Sequence, residues 1–288
     1  MDMNFEKVTV VGLGLIGGSW GLALKARGLV AHRIGFGRPS TVARALAMDA
    51  VDEGTDDLAK AVLGADLIIL AAPVGAILDC LPRLKDTASP KALVTDVGST
   101  KRLICERAGE TFGKDPIFLG GHPLAGKERA GVESAAADLF ANARYVLTPL
   151  EEEHLEDPRI KAFVSLVSAV GARPYFMDPA RHDRALAFLS HLPQLLSSGL
   201  ASLIAEESLE GGLPAELAAS GFRDMTRLAE SPYPVWRDIC LTNLENIQQA
   251  LDALVEKLEY MKRHLSGHEL EREFQQASKL REKLREIR

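Results

Sequence analysis

The stretch Val8 to Ser19, VTVVGLGLIGGS, decides the fold expected for this chain. An apolar run predicts a β-strand, which leads through Gly12-x-Gly14-x-x-Gly17 into an apolar helical pattern. Gly12 permits the tight turn, Gly14 lets the backbone approach a pyrophosphate, and Gly17 lets the helix pack closely on the strand. The free N–H groups at the start of that helix favour an anion, so we expect a dinucleotide here. The residues assigned to this cofactor are Gly12, Gly14, Leu15, Ile16 and Gly17.

Length and composition place the chain in a broad class. Its 288 residues are 47% hydrophobic, which is enough for a sizeable core and about two domains. A net charge of −6 gives no basic surface for nucleic acid. The longest later apolar run, Leu67 to Leu78, is too short to span a membrane and contains Pro73. Cys80, Cys105 and Cys240 lack disulfide or metal-ligand spacing, so we expect a cytoplasmic protein with reduced thiols and no metal.

The first part of the chain alternates strand and helix patterns. Strands are predicted near 33–36, 66–71, 93–96 and 117–119, and helices near 40–48 and 56–63. Such alternation predicts a mainly parallel sheet with helices on both faces. Ligands bind beyond the carboxyl ends of the strands in such sheets, which is where Pro73, Ser99 and His122 fall. Of these three residues, Pro73 is expected to contact the cofactor.

Beyond about residue 178 the strand patterns disappear. Apolar periodicity predicts helices over 181–203, 213–230, 235–264 and 269–288. We therefore predict a Rossmann-type α/β domain over 1–178, followed by an all-α domain over 179–288. The last helix is amphipathic, which suits either a solvated helix on its own domain or a dimer seam.

Three polar clusters fall in places that the fold alone does not explain. DVGSTK (96–101) puts hydroxyl groups after a strand, and GGHPLAG (120–126) puts a histidine at a strand end between glycines. SHLPQ (190–194) and GFRDMTR (221–227) stand within otherwise apolar helices. A helix cap or a buried histidine is the ordinary structural explanation for such residues. Buried polar groups still need partners, so the clusters are candidate site residues.

Together these segments resemble a known family. GLGLIGGS, DVGSTK, GGHPLAGKERAG, HDRALAFLSHLPQ and SGFRDMTRLAESPYPVWRDI are similar, in this order, to the TyrA family of prephenate and arogenate dehydrogenases. The resemblance spans residues 8 to about 245. It implies oxidative decarboxylation of prephenate to 4-hydroxyphenylpyruvate, or of arogenate to tyrosine, with hydride transfer to NAD or NADP in tyrosine biosynthesis. It also implies a homodimer built by the helical domain.

The resemblance assigns roles to individual residues. His122 matches the catalytic histidine, which takes the proton of the substrate's C4 hydroxyl. Ser99 matches the serine that positions that hydroxyl and the histidine. Arg227 matches the arginine that binds a substrate carboxylate, and Ser190 and Trp236 match residues that line the same pocket.

Two positions depart from the commonest family pattern. Lys127 follows HPLAG where a hydroxyl residue is frequent, and Gln194 stands where a second histidine is frequent. Both are expected to face the substrate's side chain. A lysine suits the carboxylate of a keto acid better than the ammonium group of an amino acid, so prephenate is favoured. His182 is expected to be a structural residue at a helix start.

The second predicted strand ends without an acidic residue. NAD-preferring Rossmann domains usually carry Asp or Glu there, about 20 residues beyond the glycines. Here Gly37 is followed by Arg38, Pro39, Ser40 and Thr41. A guanidinium and hydroxyls at a helix start suit a 2′-phosphate, so Arg38 and Ser40 are expected to bind NADP at least as well as NAD. The alternative is that Arg38 stacks on the adenine and both cofactors are accepted.

Two other functions are compatible with parts of the sequence. A β-hydroxyacid dehydrogenase also has a Rossmann domain followed by helices. Such enzymes usually rely on a lysine in the helical domain, where this chain offers SHLPQ and DMTR. A non-catalytic NAD(P)-binding sensor would have no need of His122 beside Ser99.

Overall fold

The structure is a computed structural model, and it describes residues 5–113, 115–127, 129–209 and 215–286. Its N-terminal part is one eight-stranded sheet with helices between the strands. The strands are β1 (Lys7–Val11), β2 (His32–Phe36), β3 (Glu53–Thr55), β4 (Leu67–Leu70), β5 (Leu93–Asp96), β6 (Ile117–Pro123), β7 (Arg144–Pro149) and β8 (Arg173–Phe176). The helices are α1 (Leu15–Ala26), α2 (Pro39–Ala47), α3 (Leu58–Val62), α4 (Val74–Lys85), α5 (Arg102–Phe112) and α6 (Pro158–Ala169).

The sheet has the strand order β3-β2-β1-β4-β5-β6-β7-β8. In the described part of the chain, six strand pairs are parallel and the β6–β7 pair is antiparallel. All four residues of β4, LIIL, are fully buried because helices cover both faces of the sheet. This confirms the predicted Rossmann-type fold with a mainly parallel sheet.

Strand β6 extends further than the sequence predicts. It runs parallel to β5 over residues 117–119 and then antiparallel to β7 over 119–123. The sequence pattern predicts a strand that ends at Leu119, because the glycines that follow usually mark a turn. The pairing with β7 holds the chain extended past that point. As a result, His122 lies on a paired strand, opposite Val146, beyond the end of β5.

The glycine-rich turn joins β1 to α1. Gly12 has a φ of +97°, a conformation that disfavours a side chain, and a Cβ there would overlap the carbonyl of Ala71. A Cβ on Gly17 would overlap the carbonyl oxygen of Gly12. A Cβ on Gly14, in contrast, would meet no atom within 4 Å. The turn is thus closely packed at Gly12 and Gly17 and open around Gly14, where α1 begins.

The remaining chain is helical. Its elements are α7 (Pro179–Leu186), a π-helical segment (Ala187–His191), α8 (Leu192–Leu209), α9 (Ser220–Thr226), α10 (Tyr233–Thr242), α11 (Leu244–Arg263) and α12 (His268–Glu286). The predicted helix over 235–264 is interrupted at Asn243, whose side chain is used in tertiary hydrogen bonds. The predicted helix over 213–230 consists of α9 flanked by two 3-10 turns. Positions 213–214 and 287–288 lie outside the described residues.

One helical run is unusually apolar. Pro179–Glu207 is long and apolar enough to cross a membrane by length and composition. An 18-residue window within it has a mean hydropathy of 1.2, and 22% of that window is buried. Its polar side chains Asp183 and Gln194 are bonded to other parts of the chain. Such bonds are typical of a helix that packs on protein.

The turn yields a stability prediction. Gly17→Ala should destabilise the fold by about 1–3 kcal/mol, because the added methyl overlaps a backbone carbonyl. Gly14→Ala should keep the wild-type Tm and weaken dinucleotide binding, because its methyl enters open space at the start of α1. Thermal unfolding followed by circular dichroism, together with fluorescence titration of the reduced cofactor, measures both effects. A wild-type Tm for Gly17→Ala would contradict the close packing described here.

Candidate active site

A cavity of about 460 Å³ opens beyond the carboxyl ends of the central strands, where the sheet meets the helical half of the chain. Its size suits a small-molecule ligand. The wall comes from the β1–α1 turn, the starts of α4 and α10, the loop after β6 and the π-helical segment. Nine predicted residues line it: Gly14, Leu15, Ile16, Pro73, Ser99, His122, Lys127, Ser190 and Trp236.

Several predicted residues lie outside this lining. Arg38 and Ser40 are exposed at the N-terminus of α2. Arg227 is exposed in the 3-10 turn after α9, where it lines an adjoining depression. Lys127 lines both the depression and the cavity, so the two spaces are neighbours. Arg227 therefore stands near the mouth of the cavity.

Gln194 is placed differently from the prediction. Its side chain is buried and lies outside the cavity lining. Its Nε2 donates to the carbonyl of Leu228 at 2.7 Å and to the hydroxyl of Ser198 at 3.2 Å. These bonds fasten α8 to the turn that carries Arg227. Gln194 supports that turn in this structure.

His122 is half-buried and is the first member of a series of hydrogen-bonded polar groups whose other members, His182 and Asp183, are buried. Its Nδ1 lies 2.9 Å from Nε2 of His182, and Nδ1 of His182 lies 2.7 Å from Oδ1 of Asp183. Asp183 also accepts the backbone N–H groups of Lys101 at 2.7 Å and Arg102 at 3.0 Å, at the start of α5. His182 and Asp183 are buried, so water does not compete for these bonds.

The donor and acceptor of each hydrogen bond in this series follow from the carboxylate of Asp183 at its end. A carboxylate can only accept, so His182 carries its proton on Nδ1 and points it at Asp183. With the single ring proton on Nδ1, the Nε2 of His182 has a lone pair, and it accepts the Nδ1–H of His122. This leaves the Nε2 of His122 unprotonated. His122 lines the cavity, so the site contains an oriented proton acceptor.

A buried ion pair flanks His122. Asp96 and Lys101 are both fully buried and form a salt bridge. Asp96 also accepts the N–H of Gly121 at 3.0 Å through Oδ1 and that of Gly98 at 2.8 Å through Oδ2. These bonds tie the end of β5 to β6, directly before His122.

The surroundings keep His122 neutral. Burial lowers its pKa well below the usual 6.5, and the neighbouring His182 and Lys101 lower it further. An unprotonated imidazole is the form that can accept a proton. His122 should therefore be available as a base at neutral pH and somewhat below it.

The sequence assigns four of these neighbours no individual role in the site. His182 is expected to be structural, yet it contacts His122 directly. Asp183, Asp96 and Lys101 are given no role of their own. The adjacent pair His182-Asp183 is the one local signal that points to a relay, because a carboxylate beside a histidine commonly fixes its tautomer.

The β1–α1 turn fits the pyrophosphate of a dinucleotide. Gly14 is the N-cap of α1 and has no side chain to occupy the first N–H groups of the helix, and the space around its Cα is open. Gly14, Leu15 and Ile16 all line the cavity at the positive end of the helix. Free backbone donors in such an open cradle match an anionic phosphate.

Comparison with known proteins assigns both halves of the chain to one family. The family model described as "Prephenate dehydrogenase, nucleotide-binding domain" matches residues 20–176. The model described as "Prephenate dehydrogenase, dimerization domain" matches residues 178–286. The two matches support an oxidoreductase with a nicotinamide cofactor.

Individual relatives give the same assignment. Prephenate dehydrogenase of Bacillus subtilis (strain 168) is 31% identical over 276 residues, which cover 95% of this chain and 74% of that protein. The crystal structure of A. aeolicus prephenate dehydrogenase in complex with hydroxyphenyl propionate and NAD+ has a TM-score of 0.89 and 29% identity, and 100% of both chains is covered. The crystal structure of Synechocystis arogenate dehydrogenase has a TM-score of 0.79 and 34% identity, covering 96% of this chain and 99% of that chain. This chain therefore belongs to the prephenate dehydrogenase family.

Proposed function

We propose that this chain catalyses the oxidative decarboxylation of prephenate to 4-hydroxyphenylpyruvate. The observation that carries the proposal is the hydrogen-bonded series His122–His182–Asp183, which presents an unprotonated Nε2 of His122 to the cavity. A nucleotide sensor without turnover has no use for such a proton acceptor. Family membership favours this reaction over that of a β-hydroxyacid dehydrogenase.

The residues of the chain perform the acid–base part of the reaction. His122 accepts the proton of the substrate's C4 hydroxyl at Nε2, and Ser99, which lines the same wall, orients that hydroxyl. The nicotinamide, when bound, supplies the acceptor for the hydride of C4. Loss of carbon dioxide from C1 aromatises the ring and leaves a phenolate at C4. The phenolate takes the proton back from Nε2 of His122, so the reaction consumes and releases no net proton. The binding residues mainly hold the carboxylates and place C4.

The cations near the mouth of the cavity favour prephenate over arogenate. Lys127 lines the cavity, and its Nζ donates to the carbonyl of Ser134 at 2.8 Å. Arg227 shares the adjoining depression with Lys127 and Glu230. The keto acid side chain of prephenate offers only acceptor oxygens to these groups. The ammonium group of arogenate would be repelled by Lys127.

The residues that follow β2 favour the binding of NADP over NAD. The strand stops at Phe36, and Gly37 follows where an NAD-preferring domain has an acid. Arg38 caps α2 without a side-chain hydrogen bond to the helix, and Ser40 is exposed beside it. A 2′-phosphate placed here would meet a guanidinium, a hydroxyl and the free N–H groups of a helix start.

The helical domain also carries the proposed homodimer. The matched family model describes it as a dimerization domain. Large apolar side chains on α8, α10, α11 and α12 are exposed, and such side chains are commonly covered at an interface between subunits. They include Leu203, Leu241, Leu244, Val255, Leu258, Phe274, Leu280 and Leu284.

His122→Asn should lower kcat by about two to four decades while cofactor binding stays near wild type, because the proton acceptor is lost and the cavity remains. Formation of reduced cofactor, followed with prephenate and separately with arogenate, is the assay. In the wild type, kcat/KM with prephenate should hold as the pH falls below 6.5, since the lowered pKa of His122 keeps the imidazole unprotonated there. Near wild-type kcat in the variant would remove His122 from the mechanism.

His182 should act as a positioning residue for His122. His182→Leu removes the acceptor of the His122 Nδ1–H and should lower kcat about tenfold to a hundredfold with little change in KM. His182→Gln retains an acceptor oxygen and should recover part of the rate. Steady-state kinetics of both variants, with Tm measured for each, separate positioning from folding. Equal rates for Leu and Gln would argue against the tautomer control described above.

Arg38→Ala should raise KM for NADP much more than KM for NAD, because a charge-assisted contact to the 2′-phosphate is lost. Wild-type activity with each cofactor is the reference. Arg44→Ala is a matched control, since Arg44 lies on the same helix and is paired with Glu133. Equal losses with both cofactors, or a wild type that uses only NAD, would contradict the assignment.

A further inference from the structure

We infer that His191 is a substrate-binding residue, a neutral histidine that donates its Nε2–H to a carboxylate oxygen of the substrate and whose tautomer is fixed by Asn243. The inference rests on the proposed function for the identity of the ligand. It rests on the hydrogen bonds of Asn243 for the position of the proton.

His191 occupies the wall of the cavity. It is the last residue of the π-helical segment and lies beside Ser190 in the lining. Its ring packs edge-on against Trp236, another lining residue, at a centroid distance of 6.0 Å. The imidazole is 1% exposed and therefore rigidly held. The segment between α7 and α8 thus places a second histidine in the wall of the cavity that His122 lines.

The orientation of the Asn243 amide is fixed by its neighbours. Its Nδ2 lies 2.8 Å from the backbone carbonyl oxygen of Asp183, which can only accept. Its Oδ1 lies 2.7 Å from Nδ2 of Asn246, which donates to it. A flipped amide would place oxygen against a carbonyl oxygen, so the assignment of nitrogen and oxygen is determined.

The second proton of this amide determines the tautomer of His191. Nδ2 of Asn243 lies 3.2 Å from Nδ1 of His191. Two donors cannot bond to each other, so Nδ1 of His191 carries a lone pair and Nε2 carries the proton. Burial also lowers the pKa of His191 to about 4, which keeps the ring neutral.

The two histidines therefore offer opposite groups to the cavity. His122 presents an acceptor at Nε2, whereas His191 presents a donor at Nε2. Prephenate is a dianion, and its carboxylates require N–H or O–H donors in a mostly apolar cavity. A fixed, neutral donor can bond a carboxylate without changing the charge near His122. The same N–H could not bond the ammonium group of arogenate.

A pair of substitutions separates binding from structural support. In His191→Gln the amide nitrogen can reach the position of Nε2, and the bond to Asn243 is lost. In His191→Asn the amide reaches only the position of Nδ1, so the bond to Asn243 can form and the donor to the cavity is lost. We expect His191→Asn to raise KM for prephenate about tenfold to a hundredfold, as for a lost bond to a charged group, with a smaller change in kcat. His191→Gln should recover most of the affinity.

The control is His264→Asn, at the C-cap of α11, where His264 bonds the carbonyl of Tyr260 in the last turn of that helix. It should behave as wild type. Unchanged KM in His191→Asn with a raised KM in His191→Gln would overturn the inference, since that pattern indicates a structural role through Asn243. Equal losses in the two variants would also overturn it, because a donor at the Nε2 position would then make no difference.

A second measurement does not depend on turnover. The ¹⁵N chemical shifts of His191 in the full-length protein should show a pyridine-type Nδ1 and a protonated Nε2. A protonated Nδ1 would overturn the inference even if the enzyme is active. Absence of activity with prephenate and arogenate in the wild type would refute the proposed function while this tautomer result still stands.

Discussion

The carboxylate of Asp183 is the group on which the rest of the site depends. It accepts the first N–H groups of α5 and the Nδ1–H of His182 at the same time. The positive end of α5 stabilises this buried charge, which would otherwise be costly. One side chain of the helical domain thus fixes how that domain meets the sheet and which nitrogen of His182 is protonated. The basicity of His122 follows from the second effect.

Other polar contacts also join the helical domain to the segments that follow the strands of the sheet. Asp238 on α10 accepts the N–H of Gly75 at 3.0 Å, in the first turn of α4. The hydroxyls of Thr100 and Thr242 lie 2.8 Å apart. The lining residues Pro73 and Ser99 lie in the segments that lead from β4 into α4 and from β5 into α5, so each contact supports a helix that starts at the cavity wall. The boundary between sheet and helices is therefore part of the site.

The sequence predicts what depends on local patterns. The turn at Gly12 and the apolar strand β4 have strong periodicity or spacing, and both form as expected. Strand β8, RPYF, is a largely exposed edge strand without an apolar pattern, so nothing local predicts it. The contact between His122 and His182 joins residues 60 positions apart, and the role of Asn243 depends on a helix break. Such contacts depend on tertiary packing, which periodicity does not encode.

The hydrogen bond between His122 and His182 has a consequence for dynamics. Its two rings belong to different halves of the molecule, one on β6 and one on α7. If the halves part by the width of a single water, His122 loses the acceptor that directs its Nδ1 proton, and either ring nitrogen can then hold that proton. The hydrogen bond therefore links the tautomer of His122 to the contact between the two halves, so the proton acceptor in the cavity is oriented only when that contact is made.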